Sequence, residues 1–183
     1  MTVTIENGGP LAAPLDALKA YLRISSTAED DLLTDLLRAA TDVAERFIGQ
    51  LIIARGIEEM MEPSNAWRAL AMRPVTAITA VAGVPASGPE FALGVDAYAV
   101  DIDGNGDGWL RVRDAGAAVQ SFGRIHVSYR AGIAADADGV PDSIRLGIVR
   151  LAGDYHALRE GVRAHPPASV TALWRPWRRM VLK

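Results

Sequence analysis

Apolar residues recur every three to four positions in three stretches of the chain and break into short runs in the block between them. In residues 15–24, LDALKAYLRI, the side chains of Leu15, Leu18 and Leu22 share one side, which predicts a short amphipathic helix near 15–23. A longer stripe follows through Leu32, Leu33, Leu36, Leu37, Ala40, Val43, Ala44 and Phe47, with Gly49 placed as its C-terminal cap. Ser26 and Glu29 have the spacing of a capping box, and Glu29, Asp30 and Asp31 set negative charge at the positive end of the helix dipole. Together these predict a helix over 28–48. The third stripe, through Ile144, Ile148, Leu151, Ala152, Tyr155 and Leu158, predicts a helix over 142–160, capped by Asp142 or Ser143.

Residues 51–132 are punctuated by Gly, Pro, Asn and Asp, with β-prone runs at 51–61, 67–72, 75–81, 98–101, 109–113 and 124–129. In the last run Ile125, Val127 and Tyr129 alternate with His126, Ser128 and Arg130, the period of a half-buried strand. The expected fold is therefore α+β: a small helical bundle carrying an inserted antiparallel β-rich region and an extended C-terminal tail. By residue, this gives a helical part at 1–50, a β-rich insert at 51–132, a helix completing the bundle at 133–162, and a linker and basic tail at 163–183. Pro166-Pro167 marks the linker.

Charge changes this picture at one end only. The 183 residues carry a net charge of −3, but residues 1–139 hold 11 Lys+Arg against 19 Asp+Glu and residues 140–183 hold 8 against 3. Such a split suggests two faces that meet different partners. The last ten residues contain Trp174, Trp177 and the bases Arg175, Arg178 and Arg179. Burying one tryptophan removes about 150–250 Å² from water, or roughly 4–6 kcal/mol gross, whereas an exposed Arg pair contributes about 0–1 kcal/mol. The tryptophans are thus expected to anchor the tail and the arginines to choose its partner. The tail can fold back over its own helices or dock on another subunit or protein, and both dispositions are open at this point.

Candidate chemistry is sparse. DIDGNGDGW, residues 101–109, sets Asp101, Asp103, Asn105, Gly106 and Asp107 at the positions of an EF-hand calcium loop. The bidentate Glu such a loop requires is replaced by Val112, and the flanks are strand-like. Asn-Gly and Asp-Gly also signal hairpin turns, so a plain β-turn is expected there and a cation site is the weaker alternative. His126, His156 and His165 lack metal-ligand spacing, and no nucleophile elbow, phosphate loop or dinucleotide fingerprint occurs. Asp30-Asp31 and Glu58-Glu59 are assigned to helix-end charge and a solvated strand face. The chain has no cysteine, and its start, MTVTIENGG, lacks the basic and apolar regions of a secretory signal. The expectation is a non-enzymatic, non-exported protein without a cofactor and without a membrane span.

Taken in order, the string LDALKAYLRI…AEDDLLTDLLRAATDVAERFIG resembles the opening of tailed-phage head–tail connector (adaptor) proteins, a family with relatives in gene transfer agents. The likeness is carried by Lys19, Leu22, Arg23, Glu29, Ala39, Ala40, Glu45, Phe47 and Gly49. It continues with MRPVTAITAV, with VSYRAGI, and with VPDSIRLGIVRLAGDYHALRE through Arg159 and Glu160, and it closes on SVTALWRPWRRMVL. Residues 83–110 lie largely outside it. The resemblance implies a structural adaptor, usually one of twelve subunits in a ring between portal and tail that lets DNA pass. Its implied partners are the portal, a tail-side connector or stopper protein and copies of itself. Its implied place is the neck of a phage or phage-like particle made in the bacterial cytoplasm. A nucleic-acid binder using the basic tail is the alternative.

Overall fold

In the computed structural model, residues 1–6, 9–114, 117–118, 121–158 and 165–179 are described. The chain divides into two compact units, one made of Met1–Gly8 and Ala54–Gly132, the other of Gly9–Ile53 and Ile133–Lys183.

The second unit holds four of the described helices: α1 (Leu15–Leu22), α2 (Asp30–Ile48), α3 (Asp142–Ala157) and α4 (Ala168–Trp174), the last continued by a 3₁₀ turn over Arg175–Trp177. Its core is drawn from every helix and includes Leu18, Leu33, Leu37, Ile48, Ile144, Ile148 and Trp174. The predicted helix positions are borne out, but two predicted caps are not. α2 begins one turn after Ser26, whose Oγ accepts from the Ala28 N–H at 3.1 Å. No side chain caps the helix, because the Glu29 carboxylate is drawn to His156 Nε2 at 3.1 Å instead. At the start of α3 the Ser143 hydroxyl likewise serves another element, and Asp142 pairs with Arg145. Gly49 does cap α2, with φ of 75° and its N–H on the Glu45 carbonyl at 2.8 Å. An L side chain disfavours that left-handed conformation.

Where the chain leaves and re-enters this unit, its two segments run side by side. Ile53 and Ala134 form a parallel bridge, and the N–H groups of Ile133 and Ala134 donate to the carbonyls of Leu51 and Ile52. The β-rich residues between them are thus an insert in topological fact.

Among the described residues the first unit has eight strands, β1 (Thr2–Ile5), β2 (Arg55–Met61), β3 (Arg68–Ala69), β4 (Val75–Val84), β5 (Phe91–Ala92), β6 (Tyr98–Ile102), β7 (Gly108–Val112) and β8 (Arg124–Ala131). They form a five-stranded sheet of order β1-β2-β8-β4-β5 and a three-stranded sheet of order β3-β7-β6, with every strand pairing antiparallel. The alternation read in residues 124–129 is realised: Ile125, Val127 and Tyr129 are buried while Arg124 and Arg130 are exposed. β1 lies in residues read as part of the helical region; TVTI is too short for a periodicity to declare itself before a partner strand exists. It pairs with β2 from Thr2↔Met60 to Ile5↔Ile57.

Glu58 and Glu59 divide between the faces of β2. Glu58 is solvated as expected, but Glu59 is 0% exposed. Its Oε2 accepts from the Tyr129 hydroxyl at 2.8 Å and the Ala71 N–H at 3.0 Å, and Tyr129 in turn accepts from the Met72 N–H. A strand's period of two puts neighbouring carboxylates on opposite sides, and hydrogen bonds from fixed donors offset the cost of burying one of them.

The sequence-level charge split does not map onto the units. The β-rich unit holds 7 Lys+Arg against 10 Asp+Glu and the helical unit 12 against 12, net −3 and 0. The acidic N-terminal helices and the basic C-terminal ones fold into the same unit and cancel.

Candidate interaction surface

The basic, aromatic end of the chain is where sequence analysis placed the site, and its described part, through Arg179, is not an extended tail. Residues 168–174 form α4, and Trp174 is 0% exposed within the helical core. Its Nε1–H donates to the Ile144 carbonyl at 3.2 Å, and its ring meets Phe47 at 5.9 Å between centroids. The seat for this ring is made by Gly147 of α3: a Cβ there would lie 2.2 Å from Trp174 Nε1. Gly153, two turns further on, leaves room in the same way for the Tyr21 ring. A buried tryptophan with its one polar atom satisfied is worth more than the arginines beside it, so burial decides the direction of the segment.

Three residues later the outcome differs. Trp177 ends the 3₁₀ turn, with Pro176 accommodated at its start, and remains 37% exposed. Its Nε1–H donates to Ser143 Oγ at 2.9 Å, and its carbonyl accepts from the Gln50 side chain at 2.9 Å. The Arg178 guanidinium lies 5.4 Å from the Phe47 ring centroid, and the Arg179 N–H donates to the Ile48 carbonyl at 3.0 Å. Arg175, Trp177 and Arg178 therefore form a rigid outward face, held by backbone and side-chain bonds on both sides. Of the five residues predicted to bind a partner, Trp174 belongs to the core. Arg179 is half-buried against α2, and the other three present themselves together. Residues 159–164 and 180–183, which include Arg163 and Ala164 of the predicted linker and the last basic residue, lie outside the described residues.

The acidic loop is a hairpin turn between β6 and β7. Asp103 accepts from the Asn105 and Asp107 N–H groups with Oδ1, at 2.8 and 3.0 Å, and from Trp109 Nε1–H with Oδ2 at 3.2 Å. Asp107 pairs with Arg73 at 3.2 Å, and Gly106 takes φ of 77°. Asp101 sits within β6 opposite Trp109. The Asp103 carboxylate is thus spent on the turn itself and the Asp107 carboxylate on Arg73. His126 and His156 are both bound to carboxylates: His126 lies between Glu58 and Glu90 at 2.7 and 2.8 Å, and His156 is paired with Glu29.

A second surface was not singled out from the sequence. On α2 the buried line is Leu33, Leu37, Ala40, Ala44 and Ile48, narrower than the stripe that was read. The surplus residues Leu36 and Val43, with Ala39, Asp42, Arg46, Tyr155 and Leu158, line a groove of about 380 Å³. Partial burial pushes the Tyr155 hydroxyl above its usual range, opposed by the positive charge of Arg46. The visible signal was width: a helix covered by one core needs fewer apolar positions than α2 has.

The chain is thus a two-unit α+β protein whose described C-terminal end presents an ordered aromatic-basic face. The class it resembles is the tailed-phage head–tail connector: residues 13–79 match the family model described as Phage gp6-like head-tail connector protein. The more particular likeness is to chains of gene transfer agent particles, and it spans 100% of this chain and 98% of each of them. A chain from the neck of an empty particle with C6 symmetry matches with a TM-score of 0.80 at 24% identity. One from the virion of a native particle matches at 0.78 and 24%, and one from the neck of a native particle with C12 symmetry at 0.72 and 23%. A search of curated proteins finds no match. The resemblance read from the sequence and the α+β fold are thereby borne out.

Proposed function

We propose that this protein is a structural head–tail connector subunit, one of a ring that joins the portal to the tail at the neck of a phage or gene-transfer-agent-like particle and leaves a passage for DNA. The observation that carries this reading is the whole-length agreement in fold with chains from gene transfer agent particles, two of them in the neck, together with the connector family match over residues 13–79. The expected assembly is a dodecamer, with the portal on one side and a tail-side connector or stopper on the other. Arg175, Trp177 and Arg178 are the proposed partner-binding face, toward the portal or a neighbouring subunit. The role is non-enzymatic and places no demand on a cofactor. The alternative of a nucleic-acid binder using the basic tail is weakened because the described end of the chain packs onto the helices, with Trp174 buried and Arg179 half-buried.

Because Trp174 is a core residue, deleting the end of the chain would disturb the fold. Point substitutions on the outward face are the cleaner test. Arg175→Glu, Trp177→Ala and Arg178→Glu, combined, are expected to leave the protein folded by circular dichroism, with a lowered urea midpoint because Trp177 loses its bond to Ser143. The same variant should no longer enter rings on purified portal when imaged by electron microscopy. A parent chain that forms no ring and does not associate with portal would sink the connector reading itself.

A further inference from the structure

We infer that the groove along α2 receives the Arg175–Trp177–Arg178 face of a second copy of this chain, a heterologous contact repeated around the ring. The inference rests on the connector reading and names which two surfaces meet.

The groove is a real concavity with an apolar floor. Leu36, Ala39 and Val43 rise from α2 at spacings of three and four, and Tyr155 and exposed Leu158 close the far wall. Leu32, 50% exposed, extends the stripe by one turn toward the helix N-terminus. Along its border Asp31, Asp35 and Asp42 are exposed, and none of them forms an ion pair among the described residues. The basic residues nearby are already occupied or terminal to it: Arg38 donates to the Gly9 carbonyl, and Arg46 stands at one end beside Tyr155. The groove therefore asks for an apolar ring accompanied by positive charge.

The same unit presents such a group at another place. Trp177 offers an exposed ring face while its Nε1–H is fixed on Ser143, so little rotamer freedom is lost on docking. Arg175 and Arg178 flank it, both exposed and without an acidic partner among the described residues. A volume of about 380 Å³ accommodates an indole with its neighbours. Trp and Arg are the residue types that dominate interface energetics, and they do so in pockets that exclude water. Because the knob and the groove are unlike surfaces of one chain, joining them is head-to-tail, which closes into a ring when the rotation allows. The acidic border and basic knob also disfavour knob-to-knob and groove-to-groove pairing through like-charge repulsion.

The chain has no cysteine, so disulfide trapping reports cleanly. Ala39→Cys sits in the groove, Pro176→Cys beside Trp177, and Ser87→Cys is an exposed control in the β-rich unit. Full-length variants are mixed pairwise under oxidised glutathione, and mass photometry follows the self-association of the parent in parallel. The expected result is a heterodimer from Ala39→Cys with Pro176→Cys, at least tenfold above Ala39→Cys with Ser87→Cys, and a ladder of oligomers from the double variant. Adding Trp177→Ala to the Pro176→Cys chain should reduce the product about tenfold or more. Leu36→Asp should do the same from the groove side, with circular dichroism verifying that both remain folded. Oligomers without the selective product overturn the inference and leave the connector reading standing. A chain that stays monomeric throughout with no product also overturns it, and portal association then judges the connector reading separately.

Discussion

Gly147 has no side chain because Trp174 occupies the space where one would stand. A helix-interior glycine costs about 1 kcal/mol relative to alanine, so its presence in α3 marks a close approach that sequence periodicity alone does not reveal. Gly147→Ala would push a methyl group to within 2.2 Å of a ring already fixed by its hydrogen bond to Ile144. The substitution is expected to destabilise the fold by about 1–3 kcal/mol, read from urea unfolding followed by tryptophan fluorescence. Tyr129 poses a different residue-scale question. Burial, reinforced by Glu59, pushes its hydroxyl well above the ordinary tyrosine value, against the opposing N–H of Met72. The folded state therefore keeps a proton that the unfolded chain releases near pH 10. Stability from this group is complete below about pH 10 and is lost as pH rises further through the folded-state value. Tyr129→Phe should flatten that alkaline loss in urea midpoints measured from pH 8 to 11. Tyr155 contributes in the same direction and remains in the variant. At neutral pH the same change should cost about 1–3 kcal/mol, because Glu59 Oε2 loses one of its two donors.

At the scale of elements, the hairpin between β6 and β7 shows how one pattern serves two chemistries. Asp103, Asn105, Gly106 and Asp107 match a calcium loop by type and spacing, yet a β-turn wants the same residues for its own backbone donors. Asp103→Ala removes the acceptor of three hydrogen bonds and is expected to destabilise the protein by about 2 kcal/mol. Calcium at millimolar concentration should leave the melting temperature of the parent unchanged; a clear rise would mean that the turn rearranges to bind the ion. α2 was legible in its length and C-terminal cap because those follow from local backbone chemistry. Its true inward face was not, since Leu33 and Leu36 are equal as residues and differ only in which neighbour reaches them. The predicted capping box failed for the same reason: Glu29 had a better partner 127 positions away.

For the molecule as a whole, the order of helices, insert and helices could be read directly, and so could six of the eight strands, at least in part. The connector resemblance was legible too, being carried by motifs on both sides of residues 83–110. The two strands missed, β1 and β5, are four and two residues long and exist only through their partners. Period, the Gly49 cap and the turn residues were settled by the sequence itself, because they are governed by interactions within a few positions of each residue. The charge split between residues 1–139 and 140–183 was real in the sequence but vanished as a property of regions, because the fold interleaves the two segments in one helical unit. Which tryptophan of the terminal pair became core and which became surface was decided only by tertiary structure. Trp174 and Trp177 are alike in the sequence, but Gly147 leaves a cavity for one ring and Ser143 offers only a rim for the other.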